Sequence, residues 1–491
     1  MNVATLRTVQ RLARTGDTEQ AWRLFESSGL ATADDNADAL SLKGRLTKDR
    51  ALKAHGGERA ALFRQARSAY LSAAALRPAT YPLINAATLA LLAGDRAEAR
   101  KTADQVLAML DSGEHEPETE YWLEATRAEA FLLNGRDDEA RRVMAGAVRA
   151  APAAWEDHAS TLRHFQLILD SLDAPSAWLD SLRPPPSLHF SGAIHLAPDH
   201  ADDIKAIETA IADLAPGFGF GALAAGADII IAEMLTRCGA DLHVVLPASI
   251  DAFRHESVGQ FGSQWIGRFD RLLDAAATVE TLPDLDEVSE AGILVAAETA
   301  MGLAIRQSRM LETRACALRI GTPEVGQEAS RLLDTAWEAQ GLQFRWLDAD
   351  RVALQGRPLP AFASETIVAL PASGPVDALV AASGGVADIR GRLATVSFAD
   401  PVTAARAAIE VAAVQDMPIG AHYAAFDPSA ANSDRLEVAG LIASAAAPGR
   451  VFLSRAMALA LALRGPEFAC ESYGSIATAH GDIALSVLAT R

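Results

Sequence analysis

Apolar residues recur at helical spacing through residues 1–183, while from residue 187 onward they gather in short runs separated by helix-like stretches. Three segments of the first part share one plan: "LARTGDTEQAWRLFE" (12–26), "LLAGDRAEARKTADQ" (91–105) and "LLNGRDDEARRVMAG" (132–146). Each has a leucine-bearing helix end, a glycine (Gly16, Gly94 or Gly135), a short acidic turn and a second helix carrying Ala21, Ala99 or Ala140. Glycine closes the first helix in a left-handed cap, and the small alanine lets paired helices approach. Between them, "ARSAYLSAAALRPATYPLINAATLALLAGD" (66–95) places Tyr70 four residues after Ala66 and Pro78 beyond the helix. Pro184, Pro185 and Pro186 remove three amide donors and predict a linker.

Past the linker, "SLHFSGAI", "DLHVVLP", "ACALRIG" and "FRWLDA" read as strands. "ADDIKAIETAIADLA", "LAAGADIIIAEMLTRCG", "SVGQFGSQWIGRFDRLLDAAA" and "EASRLLDTAWEAQG" read as helices. Alternation of this kind predicts a parallel sheet covered on both faces. After a second proline-bearing link, "LQGRPLPAF", come "ETIVALP", "RLATVSF", "IGAHYAAF", "RVFLS", "CESYGSI" and "IALSVLA", with helices at 401–413 and about 435–446. Consecutive short strands in mixed order predict an α+β sandwich. The expected organisation is therefore multidomain: all-α repeats over 1–183, an α/β Rossmann-like centre over 187–350 and an α+β part over 361–491.

The hairpins of the first part resemble tetratricopeptide repeats, with irregular loops and several consensus aromatics missing. The resemblance implies a surface that engages a protein partner rather than a catalytic site.

Charge narrows the partners. The net charge of −19 divides into −3 over residues 1–183 and −16 over the remainder. Neither part supplies the basic footprint that a phosphate backbone requires, so no nucleic acid is expected. No run of about 18 uncharged apolar residues occurs, and no membrane span is expected. The opening "MNVATLRTVQRLARTGD" is charged and helical, without a signal-peptide core. Cys238, Cys316 and Cys470 lie far apart without metal-ligand spacing, consistent with reduced thiols and a cytoplasmic location. His189 and His195 share a strand face with His200 nearby, but no further ligand converges on them, so neither metal nor cofactor is expected.

The candidate chemistry sits in "GFGFGALAAGADIIIAEMLTRCGADLHVVLP" (217–247), read as a glycine-rich corner leading into a helix and then a strand. Gly219 to Ala224 fit the dinucleotide pattern G-x-G-x-x-A, but a helix separates them from the first strand and the later strand ends in Pro247 rather than an acid. A dehydrogenase is thereby excluded. "GALAAGAD" (221–228) and "GADLHVVLP" (239–247), supported by "FRHESV" (253–258) and "WIGRF" (265–269), resemble the SLOG superfamily over about 187–347. That resemblance implies a nucleotide-derived ligand with its phosphates over the corner. The ligand set is then Ser191, Gly192, Gly219, Gly221, Ala222, Gly226, Asp228 and Pro247. Free amides and the helix dipole would favour an anion there. A plainer reading stays open beside it: Gly226 lets the helix lie close to the sheet, Asp228 is an exposed or locally paired carboxylate, and Gly217 and Gly219 serve turn geometry. The family's hydrolases carry P-G-G-x-G-T-x-x-E, which is absent here, and Glu233 reads as a surface charge, so catalysis is not expected.

The last part resembles a class III nucleotide cyclase domain through "VSFADPVTAARAAIEVA" (396–412), "PIGAHYAAFDP" (418–428), "AAPGRVFLS" (446–454) and "FACESYGSIATAHGDIALSVL" (468–488). Active members use two aspartates to hold two metal ions. The corresponding positions here are Pro371 and Arg392, and Leu441 stands where a transition-state residue is needed. The resemblance therefore implies a pseudoenzyme that keeps a pairing surface, as a homodimer or with another cyclase domain. The order of the three parts resembles bacterial signalling proteins with a TRAF-binding-type helical region. The expected function is a non-catalytic sensor binding a nucleotide-derived molecule and a protein partner. The alternatives are a glycosidic-bond hydrolase of nucleotides or NAD, and a purely structural scaffold.

Overall fold

The computed structural model describes residues 3–14, 18–192, 194, 196, 201–282, 285–321, 328–349, 359–429, 434–478 and 481–490. The chain forms two compact units that meet within the proline run, one ending at Pro184 and the other starting at Pro185.

The first unit is helical: α1 (Val3–Arg14), α2 (Thr18–Ser27), α3 (Ala37–Lys53), α4 (Gly56–Leu76), α5 (Thr80–Leu92), α6 (Arg96–Ser112), α7 (Glu120–Leu133), α8 (Asp137–Ala150) and α9 (Trp155–Leu172). The glycine caps form as their chemistry dictates. Gly94 (φ 91°) and Gly135 (φ 72°) take the left-handed conformation. Asp95 and Arg136 then donate amides back to Ala90 and Phe131, both at 2.9 Å. Gly16 lies outside the described residues. Asp95 caps α6 by accepting the Glu98 amide at 3.0 Å. Ala21, Ala99 and Ala140 are fully buried. Gly44 supplies a closer approach still, because a Cβ there would stand 2.7 Å from the Tyr70 ring.

Four helices of this unit also share a buried polar chain that periodicity does not reveal. Lys48 on α3 contacts Nε2 of His164 on α9 at 2.7 Å. The Nδ1 of His164 faces Glu129 on α7 at 3.7 Å. Glu129 accepts the Thr88 hydroxyl from α5 at 2.5 Å. Burial lowers the pKa of both Lys48 and His164, and for His164 the nearby Lys48 cation adds to the effect.

The second unit holds two sheets. The first contains β1 (Ser187–Gly192), β2 (Phe218–Gly221), β3 (Asp241–Leu246), β4 (Thr278–Thr281), β5 (Ala315–Ile320) and β6 (Gln343–Leu347). These lie in the order β4-β3-β2-β1-β5-β6, every pair parallel. Its helices are α10 (Ala201–Leu214), α11 (Ala227–Arg237), α12 (Ile250–Phe253), α13 (Ser263–Ala275), α14 (Glu290–Met310) and α15 (Glu328–Ala339). Leu188, Phe190, Val244, Leu246, Leu318 and Ile320 line the face covered by α10, α11 and α13.

Three local expectations are corrected here. Residues 218–221 form a buried strand, not a corner: Phe218 and Phe220 point to one face, leaving Gly219 and Gly221 on the other. Helix α11 starts at Ala227, with Gly226 as its N-cap at φ 106°. The helix expected from "SVGQFGSQWIGRFDRLLDAAA" is broken, because Arg254–Val258 and Gly259–Phe261 form irregular turns that end at Gly262 (φ 127°). Strand β4 and helix α14 were not anticipated.

The second sheet contains β7 (Ala363–Pro371), β8 (Ala387–Arg390), β9 (Leu393–Phe398), β10 (Ile419–Phe426), β11 (Val451–Ser454), β12 (Phe468–Thr478) and β13 (Gly481–Thr490). The order is β12-β13-β11-β10-β7-β9-β8, antiparallel except between β10 and β11. Helices α16 (Val376–Ser383), α17 (Pro401–Gln415), α18 (Asp434–Ala445) and α19 (Arg455–Arg464) complete it. Of these, α16 and α19 were not foreseen. From β7 to β10 the elements run β-α-β-β-α-β.

The two sheets share a core at α14 and α19. A Cβ on Gly302 would collide with the Leu459 backbone, so only glycine permits this helix crossing. Beside it, fully buried Glu298 accepts the Tyr423 hydroxyl at 2.6 Å and pairs with Arg464.

Candidate functional site

In an open parallel sheet, ligands settle outside the carboxyl ends of strands where the connections reverse direction. Here β1 through β4 build outward one way while β5 and β6 build the other, so the reversal lies between β1 and β5. Register sets Ser191 beside Arg319 and Gly192 beside Ile320 at that point. Gly321 follows at φ 154°.

Asp228, in the first turn of α11, dominates the glycine side of this crevice. Its Oδ1 accepts the Gly192 amide at 2.8 Å and its Oδ2 accepts the Ala224 amide at 3.2 Å. Burial pushes the carboxyl up to about 7, opposed by those two amides and by the Arg319 charge. A carboxylate at a helix N-terminus answers the dipole as a phosphate would. Two amides beside the glycine-rich stretch, those of Gly192 and Ala224, are thus occupied by the chain's own carboxyl group.

The glycines have packing reasons of their own. A Cβ on Gly192 would overlap that of Ala227. One on Gly219 would stand 2.5 Å from Leu235 Cδ1, and one on Gly221 2.5 Å from the Phe190 carbonyl oxygen. Gly217 lies under Pro185. Gly226 pairs with Ile194 in an isolated bridge, and its φ of 106° disfavours any side chain. The cost of a larger residue at Gly226, the N-cap of α11, is therefore backbone strain. Ser191, Gly192, Gly226 and Asp228 come together around the crevice. Ala222, in the loop after β2, packs half-buried against the sheet core. Pro247 is buried after β3, and its carbonyl lies 2.8 Å from where a Gly292 Cβ would stand, so it abuts the start of α14.

The opposite side of the crevice holds the group that sequence reasoning missed. Arg319 is largely buried and pairs with Asp334 of α15 at 2.8 Å, while its Nε has no hydrogen-bond partner among the described residues. Burial pushes Asp334 up to about 6, against the pull of Arg319. Ser191 Oγ is likewise buried and unpartnered among the described residues. Below it on the same face of β1, Ser187 Oγ has no hydrogen-bond partner among the described residues, and the buried His189 ring faces the Phe220 backbone. Burial, with the Arg319 charge, depresses His189 to about 3, so its ring is neutral. The available signal for Arg319 was a single cation in an otherwise apolar strand, "ACALRI". His195 and His200 lie outside the described residues. Glu233 is not a free surface charge: Arg268 holds it with two bonds, at 2.8 and 2.7 Å.

On the second sheet, Pro371 pairs with Leu393, and Ala372 donates its amide to the Arg392 carbonyl at 2.8 Å. A Cβ on Gly440 would lie 3.0 Å from Leu393, which brings the neighbouring Leu441 to the same end of the sheet. Pro371 and Arg392 are thus brought together at the end of the β7–β9 pair, while Leu441 follows Gly440 on α18.

The family described as Tetratricopeptide Repeats-Sensor matches residues 4–90. No curated protein matches the chain. Among solved structures, an O-GlcNAc transferase mutant of Thermobaculum terrenum aligns at 12% identity, covering 63% of this chain and 76% of that one. Its TM-score of 0.17 is too low to bear on the fold. No helix among the described residues is long and apolar enough to cross a membrane. Together, the glycine caps, the buried alanines and the family match support helical repeats of the tetratricopeptide type at the start of this chain, joined to a unit of mixed α/β sheets.

Proposed function

We propose that this chain is a non-catalytic sensor: its repeats engage a protein partner, and its first sheet binds a small nucleotide-derived anion at the β1–β5 crevice. The observation that carries the reading is Arg319, a largely buried guanidinium at the strand-order reversal that pairs with Asp334 but whose Nε has no acceptor among the described residues. Burying an unanswered donor costs free energy unless a bound partner satisfies it. Because Asp228 fills the glycine side, the ligand's negative group belongs against Arg319 and the Ser191 hydroxyl, not over the glycines. Parallel strand order and the βαβ connections support the SLOG-like reading of this part.

Calorimetry with ADP-ribose, NAD, AMP and cyclic dinucleotides tests the site. One of these is expected to bind wild type, with affinity falling roughly tenfold or more in Arg319→Ala and partly recovered in Arg319→Lys. Binding by none of them removes the sensor reading. Cleavage of any of them would favour the hydrolase alternative, with Asp228 as its candidate acid.

The second sheet is proposed as a cyclase-shaped pseudoenzyme, a reading supported by its β-α-β-β-α-β order. With ATP or GTP and Mn²⁺, the protein is expected to form no cyclic nucleotide, because a cation at 392 repels the metal ions. Sustained cyclic AMP production would overturn this.

A further inference from the structure

Among the described residues the second sheet ends at β8, a four-residue strand whose charged Asp388 and Arg390 stand beside exposed apolar side chains. Ile389 is 60% exposed and Val386, just before the strand, 85%. Exposed apolar side chains on an open edge invite pairing with another strand. Register shows which backbone groups are offered. Arg390 pairs with Leu393 across a two-residue turn that begins with Gly391 at φ 62°. Such a turn makes its flanking pair a hydrogen-bonded one, so Arg390 and, two residues back, Asp388 spend their N–H and C=O groups on β9. Ala387 and Ile389 then direct theirs outward.

We propose that this edge is a self-association surface, on which β8 pairs antiparallel with β8 of a second copy about a two-fold axis through Ile389. The strand is self-complementary in that register. Ile389 opposes its own copy as a hydrogen-bonded pair, extending the apolar face that continues inward through Ala394 and Val396. Asp388 opposes Arg390 of the second copy, and Arg390 opposes its Asp388, on the other face. Within one chain these two already lie 2.8 Å apart and half exposed, so the charges need only re-pair across the axis. A two-fold interface of this kind uses one patch twice and closes on itself. The inference does not depend on the ligand reading.

Sedimentation of the full chain over a concentration series is the test. The mass is expected to rise from 51.7 kDa toward twice that value. Ile389→Pro removes only an outward amide, which edge strands tolerate, and is expected to leave a monomer with an unchanged unfolding midpoint. Asp388→Arg sets two arginine pairs face to face and is expected to weaken association roughly tenfold. Adding Arg390→Asp swaps the charges and restores it. A wild-type protein that stays monomeric throughout overturns the proposal. So does a dimer indifferent to Asp388→Arg, which would place assembly on another surface.

Discussion

Gly221→Asp is expected to unfold the second unit rather than merely empty a binding site. Any Cβ at this position meets the Phe190 carbonyl oxygen at 2.5 Å and the Phe190 ring at 2.8 Å. Neither can yield, since Phe190 is a fully buried residue at the centre of the sheet core. The carboxylate would enter an apolar interior with no cation in contact, adding desolvation to collision. Together these exceed ordinary overpacking and reach the range above about 4 kcal/mol in which single substitutions abolish folding. Limited proteolysis and circular dichroism read the outcome. The helices of residues 1–184 should survive as a resistant fragment while the sheet signal disappears. A folded Gly221→Asp protein with a normal melting curve would show instead that the strand has room at this position.

Glu129→Leu is expected to cost the first unit about 3 kcal/mol. This carboxylate is the anionic end of the chain formed by Thr88, Glu129, His164 and Lys48. Without it, Lys48 remains buried against a histidine, and the Thr88 hydroxyl loses its acceptor. The cost falls at the low end of the range for breaking a buried pair because Asp49 also raises the Lys48 pKa. The paired variant Glu129→Leu with Lys48→Met removes both charges and should recover most of the loss, since apolar replacement of an entire buried pair is often neutral. Urea unfolding monitored by helicity compares the three proteins. Equal stability of Glu129→Leu and wild type would mean that the carboxylate contributes nothing.

What could be read in advance follows from how each element meets its neighbours. The repeat helices each bury one stripe and expose the other, so period and caps are visible in the sequence, as at Gly94 and Gly135. The strands β7 and β9 to β13 alternate or end at turn residues and are equally visible, while the short, charged β8 is not. Helix α14 was missed because it is packed against both the first sheet and α19, which removes the polar face that marks a helix. Strand β2 was missed because glycine is a poor strand former, and the alternation in "FGFG" looks like a turn until Phe190 and Leu235 are placed above it. Asp228 was noticed, but its partners, the Gly192 and Ala224 amides, depend on a loop geometry that no local rule supplies. Arg319 with Asp334, and Lys48 with His164, acquire meaning only when the fold brings distant segments together.

Glu298 bears on how such a protein could be divided or recombined. Composition suggests a seam between residues 350 and 361, after the first sheet and before the second. A fusion that carried only the residues beyond that seam would take Arg464 and Tyr423 away from the carboxylate that answers both, and would bare the Leu459 ridge on which Gly302 rests. A transferable cassette must therefore begin far enough upstream to bring α14 along, so that the heritable module is longer than the sheet it delivers.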